Sequence, residues 1–389
     1  MKAELQQHWF WDFAFEKNSI DEIWFTSGWM NGLFKANLIS GKAEFITQFD
    51  EEIDNDFMLF NYLLNLENVL VFCPDMAHKI YAFNCDKKEL KSFELKNKEI
   101  QHKFSGVFQC KEKVYFTPWC YKAIVELDFE TNSISEIKLP EERSDITFYR
   151  ESFLVGDNIF TFSTNQNRVL KYNVINKKCD YIEIAIRDRL VYITQGENGT
   201  FLLLTENGEI YRLQPSNMKC LKIWELEASE IYDGGAITPL MIEQNGRLYI
   251  FSQKEAKISY IDLKDKNEFS YEIQENYHSN SLWAAYRRRW GFYKREEDGF
   301  WILNTKGNIF IKYNADGDII HRINIKTDEE MRVNPFKYLK ENRISEFALT
   351  YPYNSIYMLF KYLNSEDECK ESKNVEVGKV IWEKVKWKL

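Results

Sequence analysis

Five histidines are the side chains of this 389-residue chain best suited to moving a proton near neutral pH. They are His8, His78, His102, His278 and His321. None is spaced like a pair of metal ligands, and the chain has no nucleophile elbow, glycine-rich phosphate loop or calcium loop. We therefore expect no metal and no cofactor. His78 and His278 are candidates for an acid–base pair in a lyase or hydrolase, and the alternative is that both are ordinary surface residues.

A single concentrated cluster of basic side chains lies in the segment Tyr286–Trp290. On a β-strand, Arg287 and Arg289 project to the same side. Two guanidinium groups placed together would bind a carboxylate, phosphate or sulfate through paired hydrogen bonds. The alternative is that they form ion pairs with nearby acidic residues such as Glu296 and Glu297.

Trp29 and Trp119 lie a few residues after short apolar runs, in segments with the composition of loops. Large aromatic side chains in loops offer flat surfaces on which sugars, bases or peptides stack. The alternative is that each indole packs against the neighbouring part of the protein. These residues are therefore candidates for a binding surface whose geometry depends on the elements that carry them.

Those elements repeat seven times along the chain. Each unit has an apolar run, a turn, a second alternating run that ends on a polar residue, and a further polar turn. The apolar runs are anchored at Phe25, Phe72, Phe116, Phe162, Leu204, Phe251 and Leu303. The anchors lie 42 to 52 residues apart. A period of this length is typical of a solenoid or a β-propeller.

Each unit contains four strand-like runs and no helical periodicity. The second run is almost wholly apolar, as in Phe201–Leu204, which indicates a strand covered on both faces. The fourth run alternates, as in Leu221–Leu226, which indicates a half-exposed edge strand. The third run closes on a polar corner residue, namely Asn37, Asn84, Asp128, Asn173, Gln214, Asp262 or Asn314.

These features predict an all-β fold, a seven-bladed β-propeller with four-stranded antiparallel blades, over residues 1–330. Residues 331–389 lack the repeat. Their apolar spacing predicts a short helical extension that packs on the propeller or closes it. The alternative is that this extension is a docking element for a partner.

The units resemble those of seven-bladed propellers in the broad kelch, YVTN and streptogramin B lyase-like group, from about residue 10 to about residue 325. The resemblance lies in strand pattern and blade length. The Gly-Gly pair of kelch repeats is replaced here by pairs such as Thr26-Ser27 and Thr117-Pro118. Propellers of this group serve as lyases, hydrolases, lectins and scaffolds, so the resemblance implies a fold and several possible functions.

In such propellers the turns after each second strand and the connections that enter each blade lie on one face. The resemblance thus implies that several candidate binding residues share a loop face. They are Trp29, Asn31, Asp75, His78, Trp119, Tyr121, Asn165, Arg168, Asp233, His278, Asn280 and Trp283.

The net charge, the cysteines and the apolar runs limit the kinds of partner and location that we expect. The net charge of −9 argues against broad nucleic-acid binding, which needs a basic surface to displace counterions. The seven cysteines are odd in number and form no CxxC pair, which is typical of reduced thiols. No signal peptide pattern and no run of 18 apolar residues is present, so we expect a cytoplasmic protein without membrane contact.

Three functions follow as hypotheses. The first is a non-catalytic binding or scaffold propeller that holds a partner polypeptide or a small polar ligand. Its anchors would be Trp29, Trp119, Trp283, Arg287 and Arg289, because Trp and Arg are common interface anchors. The second is a lyase or hydrolase that acts on a sugar or peptide at the channel mouth, and the third is a carbohydrate-binding propeller. The sequence leaves open whether the protein is an enzyme.

Overall fold

The chain folds into seven four-stranded antiparallel sheets, in a computed structural model that describes residues 15–17, 21–26, 32–49, 52, 59–140, 148–163, 165–226, 239–252, 257–272, 290–304 and 309–326. Within every sheet the strands follow chain order, so each sheet is a blade made from one continuous stretch of sequence. We number the blades 1 to 7 and call the strands of each blade A to D.

Blades 1 to 3 each end on an outer strand of six residues. Their strands are β1 Phe15–Lys17, β2 Glu22–Thr26, β3 Gly32–Asn37, β4 Ala43–Gln48; β5 Phe60–Leu66, β6 Val69–Pro74, β7 Lys79–Asn84, β8 Glu89–Glu94; and β9 Phe104–Cys110, β10 Lys113–Pro118, β11 Ala123–Asp128, β12 Ser133–Lys138.

Blades 4 to 7 repeat the arrangement. Their strands are β13 Phe148–Val155, β14 Asn158–Ser163, β15 Arg168–Asn173, β16 Cys179–Glu183; β17 Leu190–Gln195, β18 Phe201–Thr205, β19 Glu209–Gln214, β20 Lys219–Glu225; β21 Leu240–Gln244, β22 Arg247–Phe251, β23 Lys257–Asp262, β24 Glu268–Glu272; and β25 Trp290–Glu296, β26 Gly299–Asn304, β27 Ile309–Asn314, β28 Ile319–Asn324. A 3₁₀ turn, Glu197–Gly199, joins β17 to β18.

Burial follows the hydrophobic pattern of the strands. Every residue of β18 and of β26 is buried, because these B strands are covered on both faces by adjacent blades. The D strand β8 has exposed positions at Glu89, Lys91 and Glu94 and a buried one at Phe93, as expected for a strand with one face in solvent. The seven predicted anchors all lie on B strands, so the predicted seven-bladed architecture is confirmed.

The corner after each C strand is fixed by a short polar side chain. Asn37 Oδ1 accepts hydrogen bonds from the backbone N–H groups of Ile39 and Ser40 at 3.0 and 2.8 Å. The same turn recurs after Asn84, Asp128, Asn173 and Asp262. Asn314 closes a turn that is one residue longer, because its Oδ1 accepts from Asp316 N and Asp318 N. Blade 5 has Gln214 at this position, and Asn217 caps its turn instead by accepting from Lys219 N at 2.9 Å.

Aromatic side chains fill the space between blades. Phe49 at the end of blade 1 packs on Phe60, Phe72 and Tyr81 of blade 2, with ring centroids 4.7, 5.0 and 5.2 Å apart. Such tilted and edge-on contacts add to the stabilisation that comes from area burial. The high aromatic content of the sequence therefore serves packing between blades.

The sheets are arranged radially around a common axis. The A strands of successive blades contact one another from blade 1 to blade 6. Arg295, at the end of the A strand of blade 7, reaches blade 5, where its Nη2 and Nη1 donate to the carbonyls of Gln195 and Gly196 at 2.8 and 3.0 Å. A contact across about one hundred residues requires that the A strands converge.

Blade 7 closes the ring on the C–D hairpin of blade 1. Lys42 and Lys326 form a parallel β-bridge, with Ala43 N donating to Lys326 O at 2.8 Å and Lys326 N to Gly41 O at 2.7 Å. Gly41 has φ +71°, and a Cβ atom there would lie 2.3 Å from Asn324 O. Only glycine fits this left-handed position at the closure.

Residues 331–389, the predicted helical extension, lie outside the described residues. The described residues contain no helix long and apolar enough to cross a membrane. They also contain no cluster of three His, Cys, Asp or Glu side chains that could hold a metal ion.

Candidate functional site

The turns between strands B and C and the connections that enter each A strand lie at the same end of the blades. A chain of backbone hydrogen bonds links them around blades 2 to 4. Lys103 N donates to Asp75 O at 3.2 Å, Trp119 N to Lys103 O at 2.9 Å, and Phe148 N to Trp119 O at 3.4 Å. We call this end of the propeller the loop face. It carries the most chemically suggestive group of side chains in the described structure.

A carboxylate–imidazole pair occupies this face between blades 2 and 3. His102 Nδ1 lies 3.0 Å from Asp75 Oδ1. The Asp75 side chain is fully buried, whereas that of His102 is 46% exposed. Since a carboxylate accepts, the neutral imidazole carries its proton on Nδ1 and keeps an acceptor lone pair on Nε2. No described residue binds Nε2, so the pair presents a proton acceptor to solvent.

Two further observations concern this pair. The second carboxylate oxygen, Asp75 Oδ2, is buried and has no hydrogen-bond partner among the described residues. His102 has φ +51°, a left-handed conformation that it shares with nine other non-glycine residues of the described structure. Strained backbone and unpaired buried polar atoms both cost stability, and they concentrate at functional sites.

Trp119 provides an aromatic surface beside the pair. Its indole lies over the His102 imidazole, with ring centroids 4.6 Å apart and planes inclined by 32°. The side chain is half-buried. Cys120 follows it, and its N–H donates to His102 O at 2.9 Å. Burial raises the pKa of the Cys120 thiol, which therefore stays protonated near neutral pH.

Lys103 follows His102 in the chain and is almost fully buried. Its Nζ donates to Met76 O at 3.3 Å. Burial lowers the pKa of Lys103 to about 8, because it disfavours the charged ammonium, and the carboxylates of Glu52, Asp75 and Glu99 offset only part of this effect.

Glu52 and His78 form the adjoining part of the face. The buried Glu52 carboxylate accepts from His78 N at 3.0 Å, Lys79 N at 3.2 Å and the Tyr81 hydroxyl at 3.0 Å. The His78 imidazole is beside it, with Nδ1 3.5 Å from Glu52 Oε2. Glu52 therefore holds the loop that carries His78, in addition to facing its ring.

Two other candidate side chains are engaged within the protein. The Tyr121 ring is buried against Phe104, at a centroid distance of 4.9 Å, and its hydroxyl donates to Glu136 Oε1 at 2.6 Å. Arg168 forms an ion pair with Glu183 on the neighbouring D strand. Tyr121 therefore offers no ring to a ligand, and we leave it out of the site.

The remaining predicted site residues lie outside the described residues. They are Trp29, Asn31, Asp233, His278, Asn280, Trp283, Arg287 and Arg289. Asn165, by contrast, is described, and its Oδ1 accepts from the Ser163 hydroxyl at 2.9 Å. The proposed pairing of His78 with His278 and the proposed arginine pair thus stay predictions.

Sequence reasoning did not nominate His102 or Lys103. Both lie at the entry to an A strand, a position that the propeller pattern assigns to the loop face. The sequence feature that could have identified these two residues is a histidine–lysine dipeptide directly before such a strand. The partner Asp75 is 27 residues away, and only the packing of blade 3 on blade 2 brings it into contact.

Comparison with known proteins supports the fold. No protein-family model matches this chain, and no curated protein matches it. Among solved structures, the chain is similar to a catalytically inactive virginiamycin B lyase from Staphylococcus aureus with quinupristin, at a TM-score of 0.56 and 16% identity, over 77% of this chain and 94% of that one. A streptogramin B lyase gives 0.56 and 15%, over 77% and 92%.

A propeller from a yeast is similar to a lesser degree. Kluyveromyces lactis Hsv2 matches at a TM-score of 0.51 and 11% identity, over 80% of this chain and 98% of that one. At such identities the likeness shows the fold alone. The class is a seven-bladed β-propeller, a fold that does not by itself define a function.

Proposed function

We propose that this protein is a binding propeller that holds a polypeptide segment on the loop face of blades 2 and 3. The observation that supports this proposal is the Trp119 indole stacked on an imidazole that a buried carboxylate fixes. A rigid aromatic plane beside an exposed hydrogen-bonding nitrogen suits a peptide, which offers apolar side chains and backbone N–H donors together.

The test begins with peptides selected from a phage-displayed random library on the full chain. Their affinity is then measured by fluorescence anisotropy for the wild type, Trp119→Ala and Trp224→Ala. Trp224 is a matched control, because it is also half-buried but lies on the outer strand β20. We expect Trp119→Ala to weaken binding at least about tenfold and Trp224→Ala to leave it unchanged.

Melting temperatures separate a binding role from a packing role. If Trp119→Ala lowers the melting temperature far more than Trp224→Ala does, the indole belongs to the core and the proposal fails. It also fails if every selected peptide binds both variants as it binds the wild type.

Acid–base catalysis is the second candidate, and the Asp75–His102 pair favours it. A buried carboxylate that fixes the tautomer and orientation of a histidine is the arrangement found where imidazole acts as a general base. A first substrate is quinupristin, the compound present with the structurally similar lyase.

The catalytic assay follows the mass and chromatographic retention of quinupristin after incubation with the chain. Conversion by the wild type that is lost in both Asp75→Asn and His102→Gln would favour an enzyme. Unchanged quinupristin in all three samples would leave no support for this activity on that substrate.

A further inference from the structure

The outer strand of the last blade is less covered than the outer strands of most other blades. In β28 the first four residues, Ile319–Arg322, are all exposed. In the D strands of blades 1 to 5, at most two consecutive residues are exposed, because a neighbouring blade covers one face. The first half of β28 therefore lacks the cover that these D strands have on one face. We call Ile319–Arg322 the open end of β28.

Two isoleucines make the open end of β28 apolar. Ile319 and Ile320 are 48% and 52% exposed. Among the exposed large hydrophobic side chains of the described residues, they are the two that are adjacent in the chain. Single exposed apolar residues are common on protein surfaces, whereas neighbouring ones on an edge strand invite association with other chains. Native proteins avoid this by covering such an edge with a helix or a loop.

A β-bulge interrupts the pairing of the strand at this point. Lys312 on β27 is opposite His321, and Tyr313 is opposite Ile319, so Ile320 is an extra residue without a counterpart on β27. The extra residue of a bulge lies outside the regular ladder, and its strand bends there. Blade 7 itself therefore does not cover Ile320, and a cover has to come from another part of the chain or from another molecule.

The chain leaves the described structure beside this strand. Lys326, the last described residue, forms a bridge with Lys42 of blade 1. His321 is close to the same hairpin of blade 1, with its Nε2 atom 3.1 Å from Leu38 O. Residues 327–389 thus start next to β28.

One segment of residues 327–389 has an apolar face that itself needs a cover. It is the run 355–363, which lies outside the described residues and in which Lys361 is the one charged residue. The apolar side chains that recur with the spacing of one helix face are Ile356, Leu359, Phe360 and Leu363. A helix of this length is marginal in water and takes most of its stability from packing of its apolar face. Residues 327–354 are a long enough linker to return the segment to blade 7, since an extended chain advances about 3.3 Å per residue.

We propose that residues 355–363 form a helix that packs its apolar face on Ile319 and Ile320 at the open end of β28. Two apolar surfaces of one chain that are joined by a linker meet at a high effective concentration, which favours this contact over one with a second molecule. The helix covers the outer strand of the last blade, next to the ring closure. Residues 355–363 are thereby part of the propeller surface and are not available to another protein.

Hydrogen–deuterium exchange of the full chain tests the contact. The samples are the wild type, the double variant Ile319→Ser with Ile320→Ser, and Leu221→Ser. Leu221 is the matched control, because it is an apolar residue that is 63% exposed on another outer strand, β20. We expect the amides of residues 355–363 to be protected in the wild type and in Leu221→Ser, and to exchange at least about tenfold faster in the double variant.

A photo-cross-link distinguishes a contact within one molecule from a contact between two. Ile320→p-benzoylphenylalanine is made in the full chain, and samples labelled with ¹⁴N and ¹⁵N are mixed before irradiation. Mass spectrometry then identifies the peptide joined to position 320 and shows whether both peptides carry the same isotope. We expect a cross-link to residues 355–363 of the same molecule, and none to that segment from Leu221→p-benzoylphenylalanine.

Several outcomes would overturn the proposal. In the exchange experiment they are the absence of protection at residues 355–363 in the wild type, and protection that the double variant leaves unchanged. In the cross-linking experiment they are a cross-link from position 320 to a second molecule, a cross-link to a different segment of the chain, and no cross-link at all. Peptide binding at the loop face plays no part in these measurements, so their result is independent of the proposed function.

Discussion

Replacing Lys103 by methionine should make the protein more stable at neutral pH. Lys103 is almost fully buried, and burial lowers its pKa from 10.5 to about 8. The difference between these two pKa values corresponds to at most about 3.4 kcal/mol of destabilisation while the amine is charged. Methionine removes that cost but leaves Met76 O without its donor, which costs about 1 kcal/mol. A net stabilisation of about 2 kcal/mol is expected at pH 7.

The two pKa values of Lys103 determine how the stability difference between the variant and the wild type changes with pH. Below the folded pKa of about 8, the amine is protonated in both states and the full cost is present. Between about 8 and 10.5, the unfolded chain binds a proton that the folded protein does not, so wild-type stability rises with pH. The advantage of Lys103→Met should therefore be largest at pH 7 and should shrink as the pH approaches 10.

The assay is urea unfolding followed by tryptophan fluorescence at pH 7 and pH 10. Lys138→Met is the control, because Lys138 is exposed on β12 and its replacement should change stability by less than about 0.5 kcal/mol. A variant that is less stable than the wild type at pH 7, by an amount that does not change with pH, would refute the reasoning. The predicted result would show that this chain keeps a destabilising lysine at its loop face.

Two further predictions concern the packing of the propeller itself, at the ring closure and at a buried ion pair. Gly41→Ala should destabilise the protein by about 2–3 kcal/mol, because the new Cβ would meet Asn324 O at the ring closure, whereas Gly156→Ala should cost only about 1 kcal/mol. Both glycines have positive φ, but nothing lies within 4 Å of a Cβ at Gly156, so equal costs in urea unfolding would contradict the closure. Arg212→Met should cost about 3 kcal/mol by leaving the buried Glu243 carboxylate without its cation, and a neutral result in the same assay would contradict this pairing.

The fold could be predicted because its signals are local. A wholly apolar run such as Phe201–Leu204 identifies a covered strand, and a corner residue such as Asn37 identifies a turn that its own side chain closes. Seven repetitions of these signals define the blades without any knowledge of distant contacts. The closure of blade 7 on Gly41 was outside the reach of such patterns, because it joins positions nearly three hundred residues apart.

The site was less predictable, since it depends on how side chains turn once the blades pack. Trp119 was nominated as a loop aromatic, and it lies beside the Asp75–His102 pair. Tyr121, nominated on the same grounds two residues later, turns inward, because Phe104 and Glu136 provide a ring contact and an acceptor there. Neither outcome can be read from residue type and spacing.

The central claim is that the loops of blades 2 and 3 form the binding surface. Hydrogen–deuterium exchange of the full chain, with and without a selected peptide at saturation, tests it most directly. We predict slower exchange in segments 74–79, 101–104 and 118–122, around Asp75, His102 and Trp119. Slower exchange confined to the A–B turns or to the outer strands would contradict the claim.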